Sequence, residues 1–190
     1  SNVALGADSL KNTTTASNNT AVGKSALGAN TTGTGNTGLG KEAGGAITTG
    51  DFNTFVGIAG FTTTTADNNT AVGYASLGAN TTGAENVAVG ALALDANTPG
   101  DYNVAVGASS LTASTTGANN IAIGLSALET NTTASNNTAV GFQSLKLNTT
   151  GASNVAVGAN ALDANTTAAN NTAVGASALT ANTTGHSNIA

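Results

Sequence analysis

The chain repeats itself with a fixed period, and no other property restricts its fold as tightly. Gly6, Gly23, Gly40, Gly57, Gly73, Gly90, Gly107, Gly124, Gly141, Gly158 and Gly175 follow one another at intervals of 17 residues, with one interval of 16 from Gly57 to Gly73. Each closes a five-residue phrase of Asn, Val/Ile/Thr, a small residue (Phe55 in one copy), an aliphatic residue and Gly, as in Asn19-Thr20-Ala21-Val22-Gly23 and Asn120-Ile121-Ala122-Ile123-Gly124. Disorder has no reason to hold register over eleven units, whereas a solenoid needs it, because each coil rests only on its neighbours. Composition alone would point towards disorder: Leu, Ile, Val and Phe make only 35 of the 190 residues, too few for one large core. The period decides for a thin core repeated along a rod.

The columns of the repeat assign a task to each position. Counting the motif Asn as position 1, position 2 is Val, Ile or Thr in all twelve copies from Val3 to Ile189, and position 4 is Val, Leu or Ile in all eleven. Positions 2 and 4 share one face of a strand, and branched residues suit a pleated sheet, so this face is expected to look into the core. Position 3 is Ala in ten copies, with Gly38 and Phe55 as exceptions, and its small face is expected to press against another surface. The closing Gly permits positive φ and reads as a corner. Four residues later stands Leu in nine of eleven units (Leu10, Leu27, Leu77, Leu94, Leu111, Leu128, Leu145, Leu162, Leu179), with Gly44 and Phe61 as exceptions. This column is expected on a second short strand opposite the position 4 aliphatics. Thr follows eight residues after every corner, from Thr14 to Thr183, and Gly or Ala two residues later, as at Gly33 or Ala134; these are turn signals.

Each unit therefore reads as strand, corner, strand, turn. The fold class is all-β, a parallel β-solenoid of about eleven 17-residue coils forming a single domain over residues 1–190. The short unit is expected to lose its residue in the Thr-rich turn from Thr62 to Ala66. Turns carrying Ala16, Ala66, Ala134 or Ala168 precede Asn-Asn-Thr, and turns carrying Gly mostly precede Val or Ile, which suggests two turn geometries. Asn2, Asn19, Asn36, Asn53, Asn69, Asn86, Asn103, Asn120, Asn137, Asn154, Asn171 and Asn188 are expected to stack about 4.8 Å apart as a structural ladder of side-chain amides. None of the thirteen charged residues falls in positions 2 to 5. One Leu and one Val per coil is little to bury, so a homo-oligomer is expected, packed through the position 3 face or the mixed position 2 column. Ser1-Asn2-Val3-Ala4 and Ser187-Asn188-Ile189-Ala190 share one phase of the repeat, as in a fragment of a longer rod or a protomer that stacks end to end.

The recurring Asn-Thr/Val-Ala-Val-Gly phrase resembles the Asn-Ser-Val-Ala-Ile-Gly repeats of trimeric autotransporter adhesin heads, the YadA-like, haemagglutinin-type proteins, and the resemblance covers the whole chain. Similar repeats occur in fibre proteins of phages and bacteria. The resemblance implies a left-handed parallel β-roll, three chains per rod, display at a bacterial cell surface or on a virion fibre, and adhesion to extracellular matrix or cell-surface glycans. The units here, at 17 residues, are longer than those of such heads. An adhesin head, a fibre shaft and a purely structural extracellular filament all fit this pattern.

Other function classes find little support. There is no Cys and one His, His186, in a turn without an acidic neighbour column, so neither thiolate nor imidazole chemistry is expected and no cofactor or metal is implied. The acidic residues do not repeat at one phase in every coil, unlike the ligands of calcium-binding repeats. Four Lys and no Arg argue against nucleic acid, and no apolar run is long enough for membrane insertion as a helix. The protein reads as a non-enzyme. The regular Thr column suggests an ice-binding solenoid as a minor alternative, although adjacent Thr residues point to opposite faces and leave one outward file. Asn12, Asn18, Asn30, Asn68, Asn80, Asn131, Asn136, Asn148, Asn165, Asn170 and Asn182 stand in Asn-x-Thr sequons and are candidate glycosylation sites. Phe52, Phe55, Phe61 and Tyr74 cluster where several columns break and form a candidate ligand-binding patch; mutual packing of Phe55 and Phe61 is the structural alternative.

Overall fold

Three extended residues per coil, branched or aliphatic at both ends and small in the middle, are enough for a strand once the next coil supplies a partner. The computed structural model describes residues 1–190, with strands and turns and no helix. The strands are β1 Val3–Leu5, β2 Thr20–Val22, β3 Thr37–Leu39, β4 Thr54–Ile58, β5 Thr70–Tyr74, β6 Val87–Val89, β7 Val104–Val106, β8 Ile121–Ile123, β9 Thr138–Val140, β10 Val155–Val157 and β11 Thr172–Val174. They form one sheet in chain order. All ten pairings are parallel and in register, so that Ala88 faces Ala105 and Val89 faces Val106 across β6 and β7. The result is a β-solenoid of about ten turns.

The inside of the coil is the opposite of the face expected. Position 3 is buried from Ala21 to Ala173, while positions 2 and 4 face out, with Leu39 47% and Val174 62% exposed. The Leu column faces the position 3 alanines, and the two build a single core. Volume explains the inversion. The Leu wall already fills a coil this narrow, and only a methyl group fits between it and the sheet: at Gly38 an added Cβ would already approach a Leu27 side-chain carbon to 2.9 Å. The position 3 face is therefore not available for packing between chains.

The Leu wall is also not a strand. It is a run of turns in which Leu27, Leu128 and their counterparts take left-handed backbone (φ 49 and 52), as do residues two earlier such as Ser25 (φ 56). Left-handed Leu is unfavourable in isolation. Here it turns alternate N–H groups outward along the rod, so that Leu27 donates to Ala43 of the next coil at 3.0 Å while Ala26 and Gly28 close local turns onto Gly23 and Ser25. From Ser25 to Gly28 each backbone donor thus finds an acceptor.

The short unit loses its residue in the corner rather than in the Thr-rich turn. Gly44 donates to Ala59, and Gly60 to Ser76, which places Gly60 in the Leu register and leaves nothing opposite Ala75. β4 and β5 are correspondingly longer, with Ile58 paired to Tyr74. The two turn compositions share one geometry: Asn18, Asn68, Asn136 and Asn170 after the Ala turns, and Phe52, Glu85 and Tyr102 after Gly turns, all lie at φ between 56 and 63.

Candidate functional site

The motif asparagines are buried from Asn19 to Asn171, and they bind the backbone more than one another. Asn19 Oδ1 accepts from the N–H of Asn36 at 2.8 Å, and its Nδ2 donates to the Gly33 carbonyl at 2.8 Å. The pattern recurs along the rod, for example from Asn86 to the Asn103 N–H at 2.9 Å and to the Gly100 carbonyl at 2.9 Å. Direct amide–amide bonds accompany it at some steps, such as Asn53 Nδ2 to Asn36 Oδ1 at 3.1 Å.

A second ladder lies beside the first, seven residues after the corner Gly. Asn148 Nδ2 donates to Asn131 Oδ1 at 3.0 Å, and Asn165 Nδ2 to Asn148 Oδ1 at 2.8 Å. Both ladders converge on one carbonyl per coil: Gly33 O accepts from Asn19 at 2.8 Å and from Asn30 at 3.0 Å. Sequence reasoning passed over this second file because most of its asparagines spell sequons; their constant phase after the corner was the signal. Where the file is broken, polar atoms are stranded. Asn30 Oδ1 meets Ile47 and Asn97 Oδ1 meets Ser114 in the next coil, and both lack a partner, as do the hydroxyls of Thr63 and Ser114.

The corner glycines hold a backbone conformation that side-chain-bearing residues rarely adopt. Gly23, Gly40, Gly90, Gly107, Gly124 and their counterparts other than Gly57 lie at φ 131 to 139, and an added Cβ at Gly124 would come within 2.4 Å of the next corner's carbonyl. That excludes any side chain.

The sequons divide. Asn30, Asn80, Asn131, Asn148 and Asn165 are buried ladder members, and Asn182 bonds Asn165 at 3.1 Å, so the buried five are closed to a glycan on the folded rod. Asn12, Asn18, Asn68, Asn136 and Asn170 stand on the surface.

The aromatic patch also dissolves. Phe55 is fully buried, and its ring occupies the space left by Gly44 and Gly60, where an added Cβ would come within 2.4 and 2.3 Å of it. It packs against these two glycines. Phe52 (62% exposed), Tyr74 (63%) and Phe61 (36%) sit at three different places on the coil: before the strand, at its last residue, and beyond the Leu register.

The rod presents three distinct surfaces. The outward sheet face carries positions 2 and 4, and no charge. On the turn side, the half-buried file from Thr31 to Thr166 spends hydroxyls along the rod, as in Thr31 to the Thr48 carbonyl at 3.0 Å and Thr115 to the Thr132 carbonyl at 3.2 Å. The exposed Thr file beside it, from Thr15 to Thr184, is single and broken by Pro99. Side chains at the turn start cap free N–H groups: Asp51 and Asp101 accept from Thr34 and Ala84 at 2.6 and 2.7 Å, and His186 Nδ1 accepts from Ala169 at 2.9 Å. On the corner side, a trough of about 450 Å³ opens over Gly28 and Gly45, between Lys11 and Phe61.

No protein family, curated protein or solved structure matches this chain.

Proposed function

We propose that the protein is a non-enzymatic extracellular rod of the adhesin-head or fibre-shaft type, working as a homo-oligomer. The observation that carries this reading is the outward face of the sheet. Along eleven strands, positions 2 and 4 hold only Val, Ile, Leu and Thr, whereas the charged residues stand in the corners and turns. A face about 50 Å long at the ordinary strand spacing and roughly 10 Å wide gives about 1,000 Å² buried in total between two copies, near the lower edge of specific interfaces. A second copy supplies the same uncharged, same-pitch surface, so coil can match coil along the length.

The YadA-like resemblance of the repeats supports a trimer and bacterial surface display. Repetition supports the mechanical role: each coil bonds to the next through the sheet and the ladder of motif asparagines, reinforced at most steps by the threonine file and at some by the second amide file, which makes the rod stiff and its surface periodic.

Light scattering of the folded domain tests the assembly. A multiple of 18.0 kDa is expected, and Val106→Glu with Ile123→Glu, both on the outward face, should reduce it to the monomer without loss of β signal; a wild-type monomer overturns the oligomer. A binding panel of matrix proteins and cell-surface glycans then separates an adhesin head, which binds, from a structural filament, which forms long polymers in electron micrographs and binds nothing.

A further inference from the structure

Five residues after the corner Gly, most coils carry a side chain: Lys11, Asp95, Thr112, Glu129, Lys146, Asp163 and Thr180 stand in this register. These chains interact along the rod, as Lys146 does with Glu129 at 3.8 Å and Thr180 with Asp163. Gly28 and Gly45 interrupt the file in two consecutive coils, and Phe61, shifted into the register by the corner deletion, ends the gap. The trough is therefore built by two missing side chains and one misplaced aromatic.

We propose that this trough is a binding site for a neutral saccharide of about two rings. The inference rests on the reading of the rod as a surface that binds glycans. Three strand spacings separate the Lys11 and Phe61 registers, roughly 14 Å, and the volume of about 450 Å³ lies within the range of small-molecule sites. Phe61 offers a partly exposed ring at one end, an apolar platform for the C–H face of a pyranose. The rim is polar: Asp8 and Glu42 supply acceptors, Lys11 a donor and Ser25 a hydroxyl that does both, matching sugar hydroxyls that donate and accept. Only Ala46 and Phe61 are apolar, which disfavours a lipid or an aromatic ligand. Asp8 pairs with Lys11 at 3.2 Å and Glu42 with Lys41 at 3.4 Å, so the site is charge-balanced and favours a neutral over an acidic sugar.

The test is an array of neutral and sialylated oligosaccharides probed with the wild-type protein, followed by titration calorimetry with the strongest neutral disaccharide. Three variants are compared: Gly28→Thr with Gly45→Thr, Phe61→Ala, and Val106→Thr as a control on the opposite face. Thr112 and Thr180 occupy the filled register, and a Cβ at Gly28 or Gly45 meets nothing nearer than 3.2 Å, so the filled variant keeps the fold, checked by its melting temperature. Filling the trough should abolish binding, Phe61→Ala should weaken it at least about tenfold, and the control should bind as wild type. Sugar binding that survives the filled trough overturns the site while leaving the adhesive reading intact. No neutral sugar bound at all overturns the site, and the matrix-protein arm of the panel then judges adhesion separately.

Discussion

The regular coils from Gly107 to Gly175 and the irregular pair from Gly44 to Ser76 fill the same interior from opposite sides. In the regular coils the sheet contributes a methyl group and the turn wall a Leu, as Ala122 does with Leu128. In the irregular pair the wall contributes only Gly44 and Gly60, and the sheet contributes the Phe55 ring. Each layer of a solenoid must close its own volume to near-crystalline density, and it does not matter which wall supplies the atoms. The break in three columns at once, Leu to Gly twice and Ala to Phe, is one compensated packing event.

The sharpest way to break that comparison is to remove the compensation. Phe55→Ala should cost about 3–5 kcal/mol, read as a lower urea midpoint, because no Leu stands opposite to collapse into the hole. Gly44→Leu should also destabilise alone, since its Cβ would lie 2.4 Å from the Phe55 ring, yet it should stabilise the Phe55→Ala background by restoring the regular layer; Gly44 already has the left-handed φ of 58 that the Leu register uses. A double variant no more stable than Phe55→Ala would refute the account.

The corners give the next contrast. Gly124→Ala is expected to lose about 3 kcal/mol, combining a φ of 133 with a Cβ 2.4 Å from the next carbonyl. Gly57→Ala in the irregular corner, at φ 97 and 2.9 Å, should lose less, and equal losses in thermal unfolding would show that the deletion did not relax the corner.

Smaller still is the repair of the second ladder. Ser114→Asn should gain about 1 kcal/mol, because the new Nδ2 reaches the stranded Asn97 Oδ1 and its Oδ1 can accept from Asn131. Slower amide exchange across β6 to β9 would register the gain, and faster exchange would count against it.

The smallest effect concerns Asp95, whose carboxyl is raised above its ordinary value of 3.8 by desolvation. The folded chain then holds this proton more tightly than the unfolded one, so stability falls as pH rises from 3.8 through the raised value. Asp95→Asn should give a slight gain at pH 7 and a flatter acid limb in a pH series of urea midpoints; an unchanged limb would refute it.

Much of this was legible beforehand, and the failures share a cause. The corner role of Gly23 and its counterparts followed from spacing, because only Gly tolerates that backbone in every coil. The line of motif asparagines followed from the same register, but its burial and its bonds to the backbone did not. The position of the deletion did not: Thr62 to Ala66 could absorb a gap by composition, but only the hydrogen bonds of Gly44 and Gly60 show that Ala75 is the residue without a counterpart. The sequons of Asn80 and Asn148 misled for a similar reason, since the same three letters describe a surface acceptor and a buried amide. For Phe61, sequence marked an unusual aromatic, but the trough beside it needed three coils to be stacked.

The sequence by itself determined the period, the parallel register, the corners and the lines of Asn, Leu and Thr, because stacking identical units leaves a one-dimensional pattern that a chain cannot conceal. Which side of each strand faces inward was decided only in three dimensions. Alternation gives two faces, and hydropathy favours the Val and Ile face, but the interior is too narrow for it once the left-handed Leu wall has folded across. The smaller residue goes inside because the space is already taken, and the more apolar face is left on the surface, where another copy can cover it.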